Sequence, residues 1–358
     1  MCKCLHFLTY YLLLVTTVLA AGGETMNIYD VSEKAGVSIA TVSRVINGNS
    51  NVSEKTRLKV LSVMEEIGYT PNVFARGLGL NTMKTIGIMC TDSSDIYLAN
   101  AVYYLERELR NNGYDSILCC TGPNLATKKK YLDLLMSKRV DAIILVGSKY
   151  LEPKVAENNY IINAAKELPI MLVNAHLDGP NIYSTLCDDE DAVFTVTDSL
   201  IRSGRTDIVY LYTSSSYSGL RKMAGYKRAH FVHNITPQPH FIKLCDKNIQ
   251  CAKDYLLDLY SMGSKFQAVV TSDDSLAVGA IKFALSKGIR IPEDLSIVGY
   301  NNSLLSLACE PELTSIDSKV EALCITTINT LMGVFNGSNV PSKTNISADL
   351  VKRGTTNF

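Results

Sequence analysis

The side chains with the clearest chemical use lie in ten residues, "SIATVSRVIN", from Ser38 to Asn47. At helical spacing Val42, Val45 and Ile46 share one stripe, which predicts that they pack inward. Ser38, Ile39, Ala40, Ser43, Arg44 and Asn47 are then left facing out. Such a face suits a DNA major groove: a guanidinium bonds guanine bidentately, a small alanine lets a thymine methyl approach, and hydroxyls and amides reach bases or phosphates. A plain three-helix bundle with a solvated polar face would show the same pattern.

Catalytic patterns are missing by contrast. No G-x-S-x-G, H-E-x-x-H or phosphate loop occurs, so no catalytic residue is assigned and no enzyme is expected. His230 and His233 are spaced to share a helix face, but the sequence shows no acidic or cysteine partner for them, and they read as surface polarity. The ten cysteines form no C-x-x-C pair and no Cys/His group with zinc spacing. Cys119 and Cys120, inside the apolar "SILCC", read as small buried hydrophobes of a reducing compartment. No metal and no cofactor are expected.

The elements that must position these residues follow from the surrounding pattern. Hydrophobic residues make up 47% of the 358 and charged ones 20%, with 35 basic and 35 acidic side chains, the profile of a globular chain large enough for two or three cores. Zero net charge neither suggests nor excludes nucleic acid, because a small basic patch is diluted by a large neutral body. From Asn27 to Tyr69 the chain reads as three short helices: one from about Ile28 to Ala35 stopped by Gly36, one capped by Ser38, and one capped by Ser53 with Val60, Met64 and Ile67 on one face. The first two, joined through a glycine turn, fit a helix-turn-helix. "TPN" at 70–72 breaks the pattern. From Thr85 onward, eight strand-like runs ("TIGIMC", "SILCC", "AIILV", "IMLVN", "DIVYLY", "FIKLC", "AVVTS", "SIVGY") alternate with helix-length amphipathic runs. That alternation predicts parallel sheets covered by helices on both faces, in two units rather than one.

The exact residues carry a resemblance. "YDVSEKAGVSIATVSRVINGNSNVSEKTRLKV" followed by "GYTPNVFARGL" resembles the DNA-binding headpiece of the lactose/galactose-repressor (LacI/GalR) family, and "SIATVSRV" is most similar to the recognition helix of its Gram-positive catabolite-control branch. "RKMAGYKRA" and "GIRIPEDLSIVGYNNSLLSLACEPELTSID" extend the resemblance through the body, from Met26 to about Arg353. It implies an all-α helix-turn-helix headpiece at 26–72, a hinge at 73–84, and an α/β body of two doubly wound parallel-sheet lobes of the periplasmic-binding-protein-like kind. The first lobe is expected over 85–185 with about 315–328, the second over 186–314 with about 329–358. The resemblance places Ile39, Ala40 and Arg44 where the family reads bases, and Thr41, Ser43 and Asn47 where it mainly holds phosphates; outward-facing Ser38 belongs to the DNA-binding set as well. Asn72 and Arg76 of the second motif join the DNA-binding set. Leu78 falls on the leucine wedged into the minor groove, where an apolar wedge costs unstacking but bends DNA onto more protein. Here it departs from its relatives: Gly77 and Gly79 flank it, each costing a helix about 1 kcal/mol. The hinge is therefore expected to be disordered alone and helical on DNA.

The resemblance also implies an effector cleft between lobes, and parallel sheets bind ligands beyond the C-terminal ends of their strands. Candidates that follow strands are Asp92, Ser93 and Tyr97 after "TIGIMC", Asn174 ending "IMLVN", Lys222 on the helix after "DIVYLY", Asp273 after "AVVTS" and Asn301 after "SIVGY". The family commonly carries arginine where Lys222 stands and aspartate where Asn301 stands. Lysine loses the planar fork that grips two oxygens at once, so the effector is expected only as a sugar or sugar-like metabolite, with a sugar phosphate or nucleobase open. The implied function is a repressor: a homodimer on pseudo-palindromic double-stranded operator DNA, its affinity set by that small molecule, with no membrane partner. No leucine heptad closes the sequence, so no tetramerising coiled coil is expected.

One stretch points elsewhere. "MCKCLHFLTYYLLLVTTVLAAGGETM" has the outline of a secretory signal peptide, which would fit an exported or membrane-tethered sugar-binding protein. A DNA reader has no target outside the cell, and Gly-Gly-Glu before Met26 can be encoded by a ribosome-binding sequence. The expectation is therefore a cytoplasmic protein starting at Met26, with residues 1–25 an upstream leader read as protein.

Overall fold

The computed structural model describes residues 26–48, 51–70 and 82–358. The expectations for residues 1–25, for Asn72, Arg76 and Leu78, and for the hinge about them lie outside the described residues. The chain divides into two compact units, Met1–Met83 and Lys84–Phe358.

Among the described residues, the first unit contains three helices, α1 (Ile28–Ala35), α2 (Ile39–Ile46) and α3 (Glu54–Glu66). Each start is fixed by a side chain. Asn27 and Asp30 form a capping box on α1, Ser38 accepts from Thr41 N on α2, and Ser53 accepts from Thr56 N on α3. Gly36 ends α1 at φ 62°, the left-handed conformation that glycine adopts without cost, and turns the chain into α2. Val31, Ala35, Val42, Val45, Val60, Val63 and Met64 close one small core. Val42 and Val45 are buried and Ile46 is half-buried against them.

The second unit alternates strand and helix. Its elements are β1 (Thr85–Cys90), α4 (Ile96–Asn111), β2 (Asp115–Cys120), α5 (Leu125–Ser137), β3 (Ala142–Val146), α6 (Asn159–Ala164), β4 (Ile170–Val173), β5 (Ile182–Cys187), α7 (Asp189–Arg202), β6 (Ile208–Tyr212), α8 (Tyr217–Val232), β7 (Ile242–Leu244), α9 (Ile249–Ser261), β8 (Ala268–Thr271), α10 (Asp274–Lys287), β9 (Ser296–Tyr300), β10 (Thr314–Asp317), α11 (Val320–Phe335), β11 (Lys343–Ile346) and β12 (Asp349–Val351). Two six-stranded sheets result, ordered β11-β5-β4-β3-β1-β2 and β12-β10-β9-β8-β6-β7. All pairings are parallel except β10 with β12.

Helices cover both faces of each sheet, so central strands such as "AIILV" are buried at every residue. Ile144 and Val146 face one core of the first lobe while Ile143 and Leu145 face the other. Val269 and Val270 divide the same way in the second.

The sheet orders are one pattern used twice, with β1 to β5 of one lobe matching β6 to β10 of the other. The chain crosses between lobes after Cys187, after Asp317 and after Ile346. The last two crossings shift the expected boundaries. β10 pairs with β9 in the second sheet, whereas α11 packs on α4, β4 and β5, and β11 pairs with β5 in the first. The returning segment of the first lobe is therefore 320–346 rather than about 315–328, and the second lobe ends with β12 and the residues after it. The cause is that β11, a polar edge strand reading "KTNI", carries no hydrophobic signal to mark the return.

Two side-chain expectations change. Cys119 is buried, but Cys120 is exposed because successive residues of β2 face opposite sides of the sheet. His230 is not surface polarity: it is buried, with Nδ1 at 2.9 Å from the Tyr226 carbonyl oxygen and its ring against that of Tyr226. His233 does have an acidic partner, Asp198 of α7 at 2.7 Å, which lies far away in sequence and so was invisible there. No cluster of three His, Cys, Asp or Glu side chains able to hold a metal occurs among the described residues. Among them also, no helix is long and apolar enough to cross a membrane.

Candidate functional site

The outward face of α2 is built as its spacing predicts. Ser38, Ile39, Ala40 and Arg44 are exposed, and Thr41, Ser43 and Asn47 are half-buried beside them. Ile39 keeps 40% of its surface in solvent, where it can meet a thymine methyl. The Ser38 and Thr41 hydroxyls bond each other at 2.9 Å, and Asn47 Nδ2 lies 3.4 Å from Ser43 Oγ, so the polar rim is pre-ordered along one helix edge. Asn47 Oδ1 is buried without a hydrogen-bond partner. Arg44 has no ion-pair partner among the described residues, leaving its guanidinium available.

In the second unit, the C-terminal ends of both sheets face one cleft. Tyr97, Asn174, Lys222, Asp273 and Asn301 line it together. Asp92 lines only its outer part, held in a turn by Ser94; these bonds keep its carboxyl below the usual carboxylate range. Ser93 lines neither part. The two asparagines occupy equivalent places, just after β4 and β9. Both have positive φ, 58° and 95°, a conformation that asparagine tolerates better than most residues. Each donates its backbone N–H across to the next strand, Asn174 to Thr185 O and Asn301 to Ile316 O, both at 2.8 Å. The side chains are thereby turned off the sheet and into the cleft region. Asn174 Oδ1 accepts from Cys187 N and its Nδ2 lies 3.4 Å from Ser218 Oγ in the opposite lobe.

Lys222 is buried on α8, its Nζ 3.4 Å above the Tyr300 ring centre and 3.2 Å from the Ser272 carbonyl oxygen. Burial holds its pKa below the ordinary lysine value, against the pull of Asp189 and other nearby groups. Tyr300 in turn donates to Asp189 at the start of α7. Ammonium, ring and carboxylate thus form a buried stack, with Lys222 7% and Asp189 1% exposed.

Several residues escaped sequence reasoning. Asp95 caps α4, accepting from Tyr97 N and Leu98 N, and Asp273 caps α10, accepting from the backbone and hydroxyl of Ser275. Lys247, in the loop after β7, places Nζ 2.8 Å from both Asp95 Oδ2 and Asp273 Oδ2, so one side chain ties the lobes together. Burial alone would lower its pKa, but the two carboxylates outweigh that and hold it above the ordinary value. Ser148 donates to Ser216 across the cleft at 2.8 Å. The available signal was the rule already applied to other loops, since Lys247 also follows a strand end. "DKNIQ", however, reads as an ordinary polar loop.

The chain is similar to known proteins along both units. Residues 27–72 match the family described as bacterial regulatory proteins, lacI family, and residues 83–354 match periplasmic binding proteins and sugar binding domain of LacI family. An HTH-type transcriptional regulator of Lachnoclostridium phytofermentans is 63% identical over 333 residues, 93% of this chain and 100% of that one. Catabolite control protein A of Priestia megaterium is 33% identical over 295 residues, covering 81% and 87% of the two chains. Among solved structures, the Lac repressor dimer bound to operator and the anti-inducer ONPF superposes with a TM-score of 0.84 at 25% identity, covering 93% of this chain and 99% of that one. Family matches span both units, and the chain belongs to the LacI family of bacterial transcriptional regulators.

Proposed function

We propose that this regulator is a repressor that reads operator DNA with α2 and sets its affinity by a small ligand, a sugar or sugar derivative, held between the lobes of the second unit. The observation that carries the reading is the α2 face, where an exposed isoleucine, a small alanine and an unpaired arginine sit on a helix whose opposite side is core. Ile39, Ala40 and Arg44 contact base edges, while Ser38, Thr41, Ser43 and Asn47 contact the backbone. Asn72, Arg76 and Leu78 extend the contact beyond α2. One such helix reads only a few base pairs, so two copies of the chain on a pseudo-palindrome supply the affinity. The Lac repressor, crystallised as a dimer on operator, supports that arrangement.

Tyr97, Asn174, Lys222, Asp273 and Asn301 form the effector set, with Asp92 at the mouth and Ser93 in the adjoining turn. Hydroxyls and amides from both lobes suit a hydroxylated ligand, and the phenol of Tyr97 offers a ring face. A DNA target implies a cytoplasmic protein, and cell fractionation should recover it with cytosol rather than with membranes or the exported fraction.

The test is a gel shift on a randomised pseudo-palindrome library, repeated across salt concentrations. Selection of a two-fold symmetric site is expected, with affinity falling on the order of a thousandfold between about 50 and about 200 mM salt. Equal retention of all sequences would overturn the reading. A ligand screen by thermal shift on the same preparation tests the cleft, because a ligand of the folded state raises the melting temperature with its occupancy.

A further inference from the structure

The effector cleft contains its own cation. Lys247 reaches Asp95 from the first lobe and Asp273 from the second with one ammonium, 2.8 Å from each. Every oxygen of those two carboxylates is thereby engaged. Asp95 Oδ1 takes two backbone N–H groups at the start of α4 and its Oδ2 takes Lys247. Asp273 Oδ1 takes Ser275, and its Oδ2 takes Lys247 and Asn301 Nδ2. A neutral sugar is gripped by carboxylates that accept from its hydroxyls, and here all of that capacity but one lone pair of Asp95 is used before any ligand arrives.

What remains facing the cavity is donor-rich. Lys149 stands exposed at its edge, and Lys222 has three N–H bonds but one recorded oxygen acceptor, the Ser272 carbonyl. With Lys247 there are three ammonium groups, and the carboxylates near them already have partners: Asp95 and Asp273 are bridged by Lys247, Asp189 accepts from Tyr300 and Asp92 accepts from Ser94.

Resting on the effector reading above, we propose that Lys247 is the specificity determinant of the cleft. By occupying both aspartates it withdraws them from neutral sugars, and it commits the cleft to an effector bearing an anionic group, a phosphate ester or carboxylate, seated among Lys149, Lys222 and Lys247. Charge-assisted hydrogen bonds from ammonium to such oxygens are the strong class, and a phosphate or carboxylate brings acceptors where the site offers donors.

The test uses the full chain, calorimetry and thermal shift, with matched probes: glucose and glucose 6-phosphate, fructose and fructose 6-phosphate, galactose and galacturonate, and inorganic phosphate as the minimal anion. In every pair that responds, the acidic member is expected to bind at least about tenfold tighter than the neutral one. Lys247→Met should shrink or reverse that ratio, because it removes one counter-charge and frees both aspartates for hydroxyls. Lys247→Arg should preserve it. A merely structural role would weaken both members together. Tighter binding of the neutral members by the native chain, or a ratio unmoved by Lys247→Met, overturns the proposal while leaving the effector cleft standing. Failure of every probe, inorganic phosphate included, overturns it as well, and operator binding by the same preparation then tests the regulatory reading separately.

Discussion

Gly225→Ala is the substitution whose outcome the packing determines most directly. Gly225 lies in the middle of α8, where alanine has the higher helix propensity, by about 1 kcal/mol. On an exposed helix the change would stabilise. Here a methyl group at 225 would stand 2.2 Å from the Glu190 carbonyl oxygen and 2.9 Å from the Phe194 amide nitrogen, both backbone atoms of α7. Neither can rotate away, so α8 must retreat from α7 by about 1 Å before contact distances become ordinary. Overpacking of this kind costs about 1–3 kcal/mol, and the rigid obstacle places it at the upper end. Subtracting the propensity gain leaves a net loss of about 2 kcal/mol. For a unit of this size that is a fall in melting temperature of about 4 °C. The same retreat moves Lys222, one helical turn earlier, off its seat between the Tyr300 ring and the Ser272 carbonyl oxygen. Urea unfolding and thermal shift measure the first effect, and effector affinity the second. A Gly225→Ala protein as stable as the native one, or more stable, would refute the close-approach argument.

Three further outcomes are expected. Arg44→Ala should weaken operator binding by roughly 5- to 150-fold and relax specificity at one base pair, with the melting temperature unchanged; binding assays on base-substituted operators measure it. Asn174→Ala should cost about 2 kcal/mol by urea titration, since the Cys187 N–H loses its acceptor and a non-glycine residue without a polar side chain is left at φ 58°. Burial pushes the Asp274 carboxyl from 3.8 up to about 6, against hydrogen bonds from Ser315 and Ser303. Its folded-state pKa is thus raised, so the stabilisation by the neutral form is complete below pH about 4 and is lost as pH rises through about 6. Across that window the native chain should lose up to about 3 kcal/mol relative to Asp274→Asn, and parallel urea titrations that show no divergence would count against it.

The parts of the fold that were legible are those with a strong local signal. Capping serines, the αL glycine at 36 and the apolar stripe of α2 are local chemistry, and the three helices begin and end where they predict. The central strand runs stand out because helices cover both faces of the sheets and leave them buried throughout. β5 reads "IYSTLC", β11 "KTNI" and β12 only "DLV", polar or short segments whose pairing is decided by the strand beside them. The cleft was half legible for a related reason. Residues directly after a strand, such as Asn174 and Asn301, have fixed direction because the backbone is still bonded to the sheet. Within a loop the sequence does not say which side chain turns inward, so Asp95 was passed over for Asp92 and Ser93, and Lys247 went unnoticed.

The pseudo-repeated lobes also limit what kind of ligand can act as a switch. Away from the three crossing segments, the contacts that span them include polar ones: Lys247 with Asp95, Ser148 with Ser216, Asn174 with Ser218, and the Cys187 sulfur 3.6 Å from the Tyr300 hydroxyl. Intramolecular hydrogen bonds contribute about 0.5–1.5 kcal/mol each, so such a set holds the lobes together by a few kcal/mol before ordering costs are subtracted. Moving an equilibrium from 1:99 to 99:1 takes about 5.5 kcal/mol of differential affinity. The two quantities are of similar size, which places closure within reach of a small molecule. A ligand bonded to one lobe alone binds open and closed forms equally and shifts nothing, however tightly it binds. Asn174 and Asn301 project from equivalent strand ends of different lobes, and Lys149 and Lys222 stand on different lobes, so a molecule bonded to either pair has to span the cleft. Effector potency should therefore track contacts made to both members of a pair rather than total affinity, and mutating one member should reduce the switch more than it reduces binding.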